Sequence, residues 1–120
     1  MRSGGQKSKW GFSREMRLTR KTEFQRAFLD GRRLSSHHFT IVVRKNDLCH
    51  ARLGIAVSRR IACAVRRNRI RRLIRETFRT DPRWRSLHAD TVVVVKRLPQ
   101  RMDYKTISQE LKALMGSNVE

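Results

Sequence analysis

Negative charge is what this chain has least of: 10 Asp+Glu stand against 29 Lys+Arg, a formal net charge of +19 over 120 residues. The acids are scattered, with no D-x-D or E-x-x-H grouping. A metal-dependent nuclease holds its ions with clustered carboxylates, so the scatter argues against a metal centre on the protein. Cysteine is nearly absent. Cys49 and Cys63 form no C-x-x-C and no second ligand pair, which excludes a zinc site and reads as two reduced thiols of a cytoplasmic protein. The histidines, His37, His38, His50 and His88, lack metal-ligand spacing, and His37–His38 reads as a polar lead-in to a strand. No apolar run approaches the ~20 residues of a membrane span. The opening MRSGGQKSKWGFSR is basic without an apolar centre, so it is not a secretory signal. The motifs G-x-x-x-x-G-K-[ST], H-E-x-x-H and G-x-S-x-G are missing.

What remains is positive charge on one small domain. An excess of this size points to nucleic acid, with an anionic membrane surface as the weaker alternative. Arginine outnumbers lysine, and its planar fork fits phosphate and guanine edges better than an ammonium does. Residues 1–16 read as a flexible basic arm in which Trp10 and Phe12 can dock locally or stack on a base. A single domain follows over 17–116, with a short tail over 117–120.

The densest charge lies in AVRRNRIRRLIRETFR, residues 64–79, where Glu76 is the only acid. Like charges this close repel and weaken a helix unless a polyanion balances them. At helical period Ile70, Leu73, Ile74, Thr77 and Phe78 form one stripe. Asn68, Arg69, Arg72, Arg75, Glu76 and Arg79 fall opposite. Arg66 and Arg67 occupy the first turn, where the helix dipole adds positive potential. Arg72 and Glu76 are spaced to pair at i,i+4, and Pro82 is expected to end the helix.

Elsewhere TEFQRAFLDG reads as a helix with Thr22 as N-cap, Gln25 completing a capping box and Gly31 as stop. Phe24 and Phe28, four apart, share one face. HFTIVVRK is a strand with Phe39, Ile41 and Val43 on one side and Thr40, Val42 and Arg44 on the other. NDLCH reads as a hairpin connection to ARLGIAVS, the next strand. One face of that sheet is bulky and apolar, the other small and partly basic, enough to cover a core and leave a shallow groove. DTVVVVKR reads as a strand buried on both faces, closed by Pro99. DYKTISQELKALMG is a last helix between an Asp103 N-cap and a Gly116 stop. The order α-β-β-α-β-α, with room for an extra short strand, is an α/β domain: an α+β two-layer sandwich around one core.

The stretch GIAVSRRIACAVRRNRIRRLIRETFR resembles the protein subunit of bacterial ribonuclease P, whose Arg-Asn-Arg core stands here as Arg67-Asn68-Arg69. RLTRKTEFQRAFLDGRR is similar to that family's opening helix, and the match runs from about Arg17 to Met115. The resemblance implies a ribosomal-protein-like domain with a left-handed β-α-β crossover. It implies the catalytic RNA of the holoenzyme and precursor tRNA as partners, with no membrane. It implies an endoribonuclease that removes the tRNA 5′ leader, bond breaking lying in the RNA. Magnesium is expected for the RNA subunit, and no cofactor is expected on the protein. Arg66, Arg67, Asn68, Arg69, Arg71, Arg72 and Arg75 would contact the catalytic RNA. Phe24, Phe28, Thr40 and Val42 would line a cleft for the single-stranded leader, with Arg59, Arg60 and Lys96 along its backbone. The chain departs from the family at Val42, where many relatives carry an aromatic, and at Ala62-Cys63-Ala64, where a glycine-containing turn is common. A ribosomal or chaperone RNA-binding protein without a role in cleavage is the alternative reading.

Overall fold

β-Branched runs pair into a sheet in the computed structural model, which describes residues 17–18, 21–46, 48 and 50–118. Its strands are β1 (Arg32–Ser35), β2 (Phe39–Lys45), β3 (Arg52–Val57) and β4 (Ala89–Val95), in the order β1-β2-β4-β3. β1–β2 and β2–β4 are antiparallel, and β3–β4 is parallel. The expected hairpin between β2 and β3 does not form. β4 lies between them, because a valine run apolar on both faces is best buried as a central strand. β1 is the extra short strand.

Four helices complete the chain: α1 (Lys21–Asp30), α2 (Ala64–Arg79), α3 (Pro82–Arg85) and α4 (Tyr104–Asn118). Phe39, Ile41, Leu53, Val93 and Val95 point from the sheet to α2 and α4, meeting Ile70, Ile74, Phe78, Ile107 and Leu111 in the main core. The α2 stripe is as the periodicity requires, with Ile70, Ile74, Thr77 and Phe78 buried and Leu73 partly so. On the opposite face α1 and Leu18 cover Val42 and Val92 in a smaller cluster. The basic helix α2 therefore sits in the parallel crossover from β3 to β4, with one face in the core and the other in solvent.

Helix ends differ from expectation in three places. α1 begins at Lys21, so Thr22 lies inside it rather than at its cap. Pro82 opens the short helix α3, with the Asp81 carboxylate accepting from the Arg83 N–H at 3.0 Å. That turn buries Trp84, whose Nε1 donates to Thr91 Oγ1 at 3.1 Å and whose ring meets Phe78 edge-on at 5.2 Å. α4 runs through Gly116 to Asn118. A Cβ at Gly116 would meet only the Arg83 guanidinium, at 3.8 Å, so nothing there forces a stop. Asp103 does cap α4, its Oδ1 accepting from Thr106 N at 2.8 Å. Gly31 follows α1 for lack of room: a Cβ would crowd the Ala27 carbonyl and Val42 Cγ1 (2.5 Å).

Two polar clips fix the helices to the sheet. Arg52 donates from Nε and Nη2 to the two oxygens of Asp90, at 2.8 and 2.7 Å, and from Nη1 to Glu23 of α1 at 2.9 Å. Asn46 adds a 2.7 Å bond to Asp90. Burial alone would raise the Asp90 carboxyl, but the bonds from Arg52 and Asn46 outweigh it and hold it below the ordinary range. On α4, Glu110 accepts from Ser36 Oγ and, at 3.0 Å, from the His38 backbone N–H, and it meets His38 Nδ1 at 2.8 Å. The turn between β1 and β2 is thereby tied to α4.

Candidate nucleic-acid interface

The solvent face of α2 is a shallow groove lined by Asn68, Arg71, Arg72, Arg75, Glu76 and Arg79. Its acid is committed. Glu76 pairs with Arg79, one turn on, through Nη2 and through Nε at 3.2 Å, instead of with Arg72. Arg71 Nη1 donates to Asn68 Oδ1 at 3.3 Å. The half-buried Arg75 guanidinium has its pKa lowered, first by burial and then by the charges of Arg17 and Arg71. It stays protonated near neutrality because an arginine titrates above about 12. Repulsion is thus built into this face, and an anion bound there relieves it.

The Arg67-Asn68-Arg69 side chains take different directions. Arg67 Nη1 turns back to the Ala62 carbonyl at 2.9 Å. Arg69 reaches the Met102 carbonyl from Nε and Nη2, at 3.0 and 2.7 Å, and so braces the loop before α4. Successive helical residues step about 100° around the axis, so three in a row cannot share a face. Arg66 and Arg72 are exposed. Cys63, the free and exposed N-cap residue of α2, offers no side-chain cap. Cys49, Trp10 and Phe12 lie outside the described residues.

A second surface opens on the α1 side of the sheet. The register places Ser35, Thr40, Val94 and Ala56 in one row across the strands, and Arg33, Val42, Val92 and Gly54 in the next. α1 covers the second row, and Val42 and Val92 are 0% exposed there. Val42 is therefore core, not cleft lining. The first row is left uncovered, with Thr40, Val94 and Ala56 half-buried as a floor. Phe24 and Phe28 of α1 are partly buried beside it. Val94 and Ala56 were not singled out by the sequence, because only the register puts them beside Thr40. Arg59, Arg60 and Lys96 follow the ends of β3 and β4, are exposed, and enter none of the ion pairs among the described residues. The two surfaces meet at the outer edge of β3, which the Arg17–Leu18 segment bridges at Leu53, and there Phe24, Leu53 and Ile55 share one hollow with Arg17 and Arg75.

No grouping of three His, Cys, Asp or Glu side chains among the described residues could hold a metal ion. None of the described helices is long and apolar enough to cross a membrane.

Known proteins match this arrangement closely. The Ribonuclease P family model matches residues 12–118. The ribonuclease P protein component of Syntrophus aciditrophicus is 38% identical over 99 residues, covering 82% of this chain and 83% of its own. That of Aliivibrio fischeri is 39% identical over 107 residues, covering 88% and 90%. Among solved structures, the RNase P protein of Staphylococcus aureus superposes with a TM-score of 0.77 at 29% identity, over 85% of this chain and 94% of that one. The RNase P protein of Thermotoga maritima gives 0.75 at 31%, over 84% and 96%. An α2 that puts its apolar stripe in the core and its arginines in solvent, on a fold shared over nearly the whole chain, places this protein in the ribonuclease P protein family, the protein subunit of the endoribonuclease that works in tRNA processing beside ribonuclease P RNA.

Proposed function

We propose that this chain binds two RNAs at once, the ribonuclease P RNA through α2 and the 5′ leader of precursor tRNA through the α1 cleft, while the RNA subunit breaks the bond. The observation that carries the reading is the solvent face of α2, where Arg71, Arg72 and Arg75 lie together and the lone acid is tied to Arg79. Guanidinium groups fork onto phosphate oxygens, and Asn68 is placed to bond a base edge. In the cleft, Phe24 and Phe28 offer ring faces and edges, Thr40, Val94 and Ala56 a floor, and Arg59, Arg60 and Lys96 charge for a backbone. Stacking beside basic groups is the general strategy for holding a single strand. The hollow shared by Phe24 and Arg75 lets leader and catalytic RNA approach each other at one edge of the sheet.

Leader removal needs a nucleophile and charge stabilisation at the leaving oxygen. The described residues group no carboxylates for that chemistry. Magnesium ions held by the RNA would supply it. The protein would then favour precursor over mature tRNA, since only the precursor fills the cleft. It would also lower the magnesium requirement, its cations replacing counterions released from RNA. This is work for the cytoplasm, where tRNA precursors are made and processed.

Two assays test the proposal. The protein alone, with magnesium and precursor tRNA, should cleave nothing, while the RNA alone at high magnesium should remove the leader; cleavage by the protein alone would overturn the division of labour. Phe24→Ala with Phe28→Ala should erase most of the preference for precursor over mature tRNA; an intact preference would overturn the cleft. A chaperone or ribosomal protein would bind RNA and leave leader removal unstimulated.

A further inference from the structure

Arg33 is a cation of the cleft that lies outside the basic motif. It sits on the edge strand β1, exposed, with Val42 as its register partner. Its side chain is held over α1: the guanidinium carbon lies 5.7 Å from the centre of the Phe28 ring, and Nη2 donates to the Phe28 carbonyl at 3.1 Å. None of the ion pairs among the described residues includes it. Its Nε and Nη1 donors engage none of the described residues. The adjoining row carries two hydroxyls, Ser35 Oγ and Thr40 Oγ1, 2.8 Å apart. A pinned guanidinium, an aromatic ring and two hydroxyls thus gather at the β1 end of the row. Arg59 and Arg60 follow the end of β3 on the far side of the sheet, three inter-strand steps or about 14 Å across and further along the strand direction.

We propose that Arg33 binds a phosphate of the leader strand and so extends the cleft to the β1 edge. The proposal rests on the leader reading of the cleft. A planar group held by a cation–π contact and by one hydrogen bond keeps its remaining in-plane donors preorganised for phosphate oxygens. Position 42 contributes no stacking surface, being buried under α1. The Phe28–Arg33 pair takes over that part of the cleft, with the ring for a base and the guanidinium for the adjacent phosphate. The consequence is specificity for leader length: a leader too short to reach β1 gains nothing from Arg33.

The test uses holoenzyme reconstituted from the full chain and its ribonuclease P RNA, with precursor tRNAs whose leaders lengthen one nucleotide at a time. Arg33→Ala should lose affinity by about three- to tenfold, and only once the leader passes a threshold length. It should also flatten the dependence of log affinity on log salt by about 0.7, the value of one single-strand phosphate. Arg33→Lys should restore the slope. A neutral methylphosphonate at the contacted leader position should make wild type and Arg33→Ala equal. If Arg33→Ala matches wild type for every leader while Phe24→Ala with Phe28→Ala loses leader binding, the Arg33 contact is overturned and the cleft stands. If the loss persists undiminished at every methylphosphonate position, Arg33 acts by packing on Phe28 and the proposal is overturned. If the phenylalanine variant also keeps leader binding, the cleft reading falls and takes this proposal with it.

Discussion

Adding one methyl group to β3, as Gly54→Ala, should unseat Phe24. An ideal Cβ at Gly54 lies 2.6 Å from Phe24 Cζ, 3.0 Å from Phe24 Cε1 and 3.0 Å from Leu18 Cβ. Carbon atoms rest at about 3.5–4.0 Å, so the ring tip has to move by about 1 Å. Overpacking of this kind costs about 1–3 kcal/mol. Here the closest clash is with the tip of the half-buried Phe24 ring, with Leu18 Cβ needing to give only a few tenths of an ångström, and alanine recovers about 0.5 kcal/mol of chain entropy over glycine. A net loss of about 1 kcal/mol follows, a fall in Tm of about 4 °C for a domain of this size. The functional effect should be larger than the stability effect. A base–aromatic stack is worth about 1–3 kcal/mol, and a ring displaced by about 1 Å should forfeit part of it, cutting the preference for precursor over mature tRNA by about three- to tenfold. Affinity for the ribonuclease P RNA should hold, because the solvent face of α2 is not disturbed. Gly116→Ala is the control: its Cβ would make only an ordinary contact with the Arg83 guanidinium at 3.8 Å, so it should gain about 0.5–1 kcal/mol as a substitution within α4. Thermal denaturation and equilibrium binding of the two tRNA forms by the reconstituted holoenzyme measure both effects. Gly54→Ala that melts at or above wild type with its discrimination intact would refute the seating of α1 on β3.

Other perturbations separate the fold from the RNA contacts. Asp90→Asn should lower stability at neutral pH by about 2 kcal/mol, less than a fully buried pair because Arg52 keeps Glu23 and is itself 18% exposed. Since the folded Asp90 carboxyl lies below its unfolded value, its contribution is complete above about pH 4 and is lost as pH falls through the folded pKa. Urea midpoints should therefore drop less steeply in acid for Asp90→Asn than for wild type. Arg71→Ala with Arg75→Ala should flatten the salt dependence of binding to ribonuclease P RNA by about one to two, while the free protein stays as stable or gains a few tenths of a kcal/mol. A loss of stability would contradict the repulsion assigned to that face. Arg69→Ala should cost about 1 kcal/mol of folding stability through its bonds to Met102, and should weaken RNA binding less than Arg72→Ala does; denaturation and RNA titration side by side check this.

Local features of the fold were legible in the sequence, and long-range pairing was not. The stripe Ile70, Ile74, Thr77 and Phe78 follows from period alone, and the Asp103 cap from one side chain and its nearest amides. The insertion of β4 between β2 and β3 depends on contacts across 38 or more residues, such as Arg52 with Asp90, which no local signal encodes. Without that register Val94 and Ala56 are two more small apolar residues, and Val42 looks as open as Thr40. Arg67 and Arg69 also bond the carbonyls of Ala62 and Met102, which the sequence did not reveal, because a backbone acceptor leaves no mark in a sequence. The valine at position 42 was visible, but its burial was not: α1 covers it, and Arg33 stands across from it.

Leader removal from precursor tRNA at limiting magnesium, measured with the ribonuclease P RNA alone and again after adding this protein, tests the central claim most directly. Cationic side chains on a fixed scaffold should speed the reaction and lower the magnesium it needs, with an effect that shrinks as magnesium or salt is raised. Equal rates with and without the protein at limiting magnesium would contradict it.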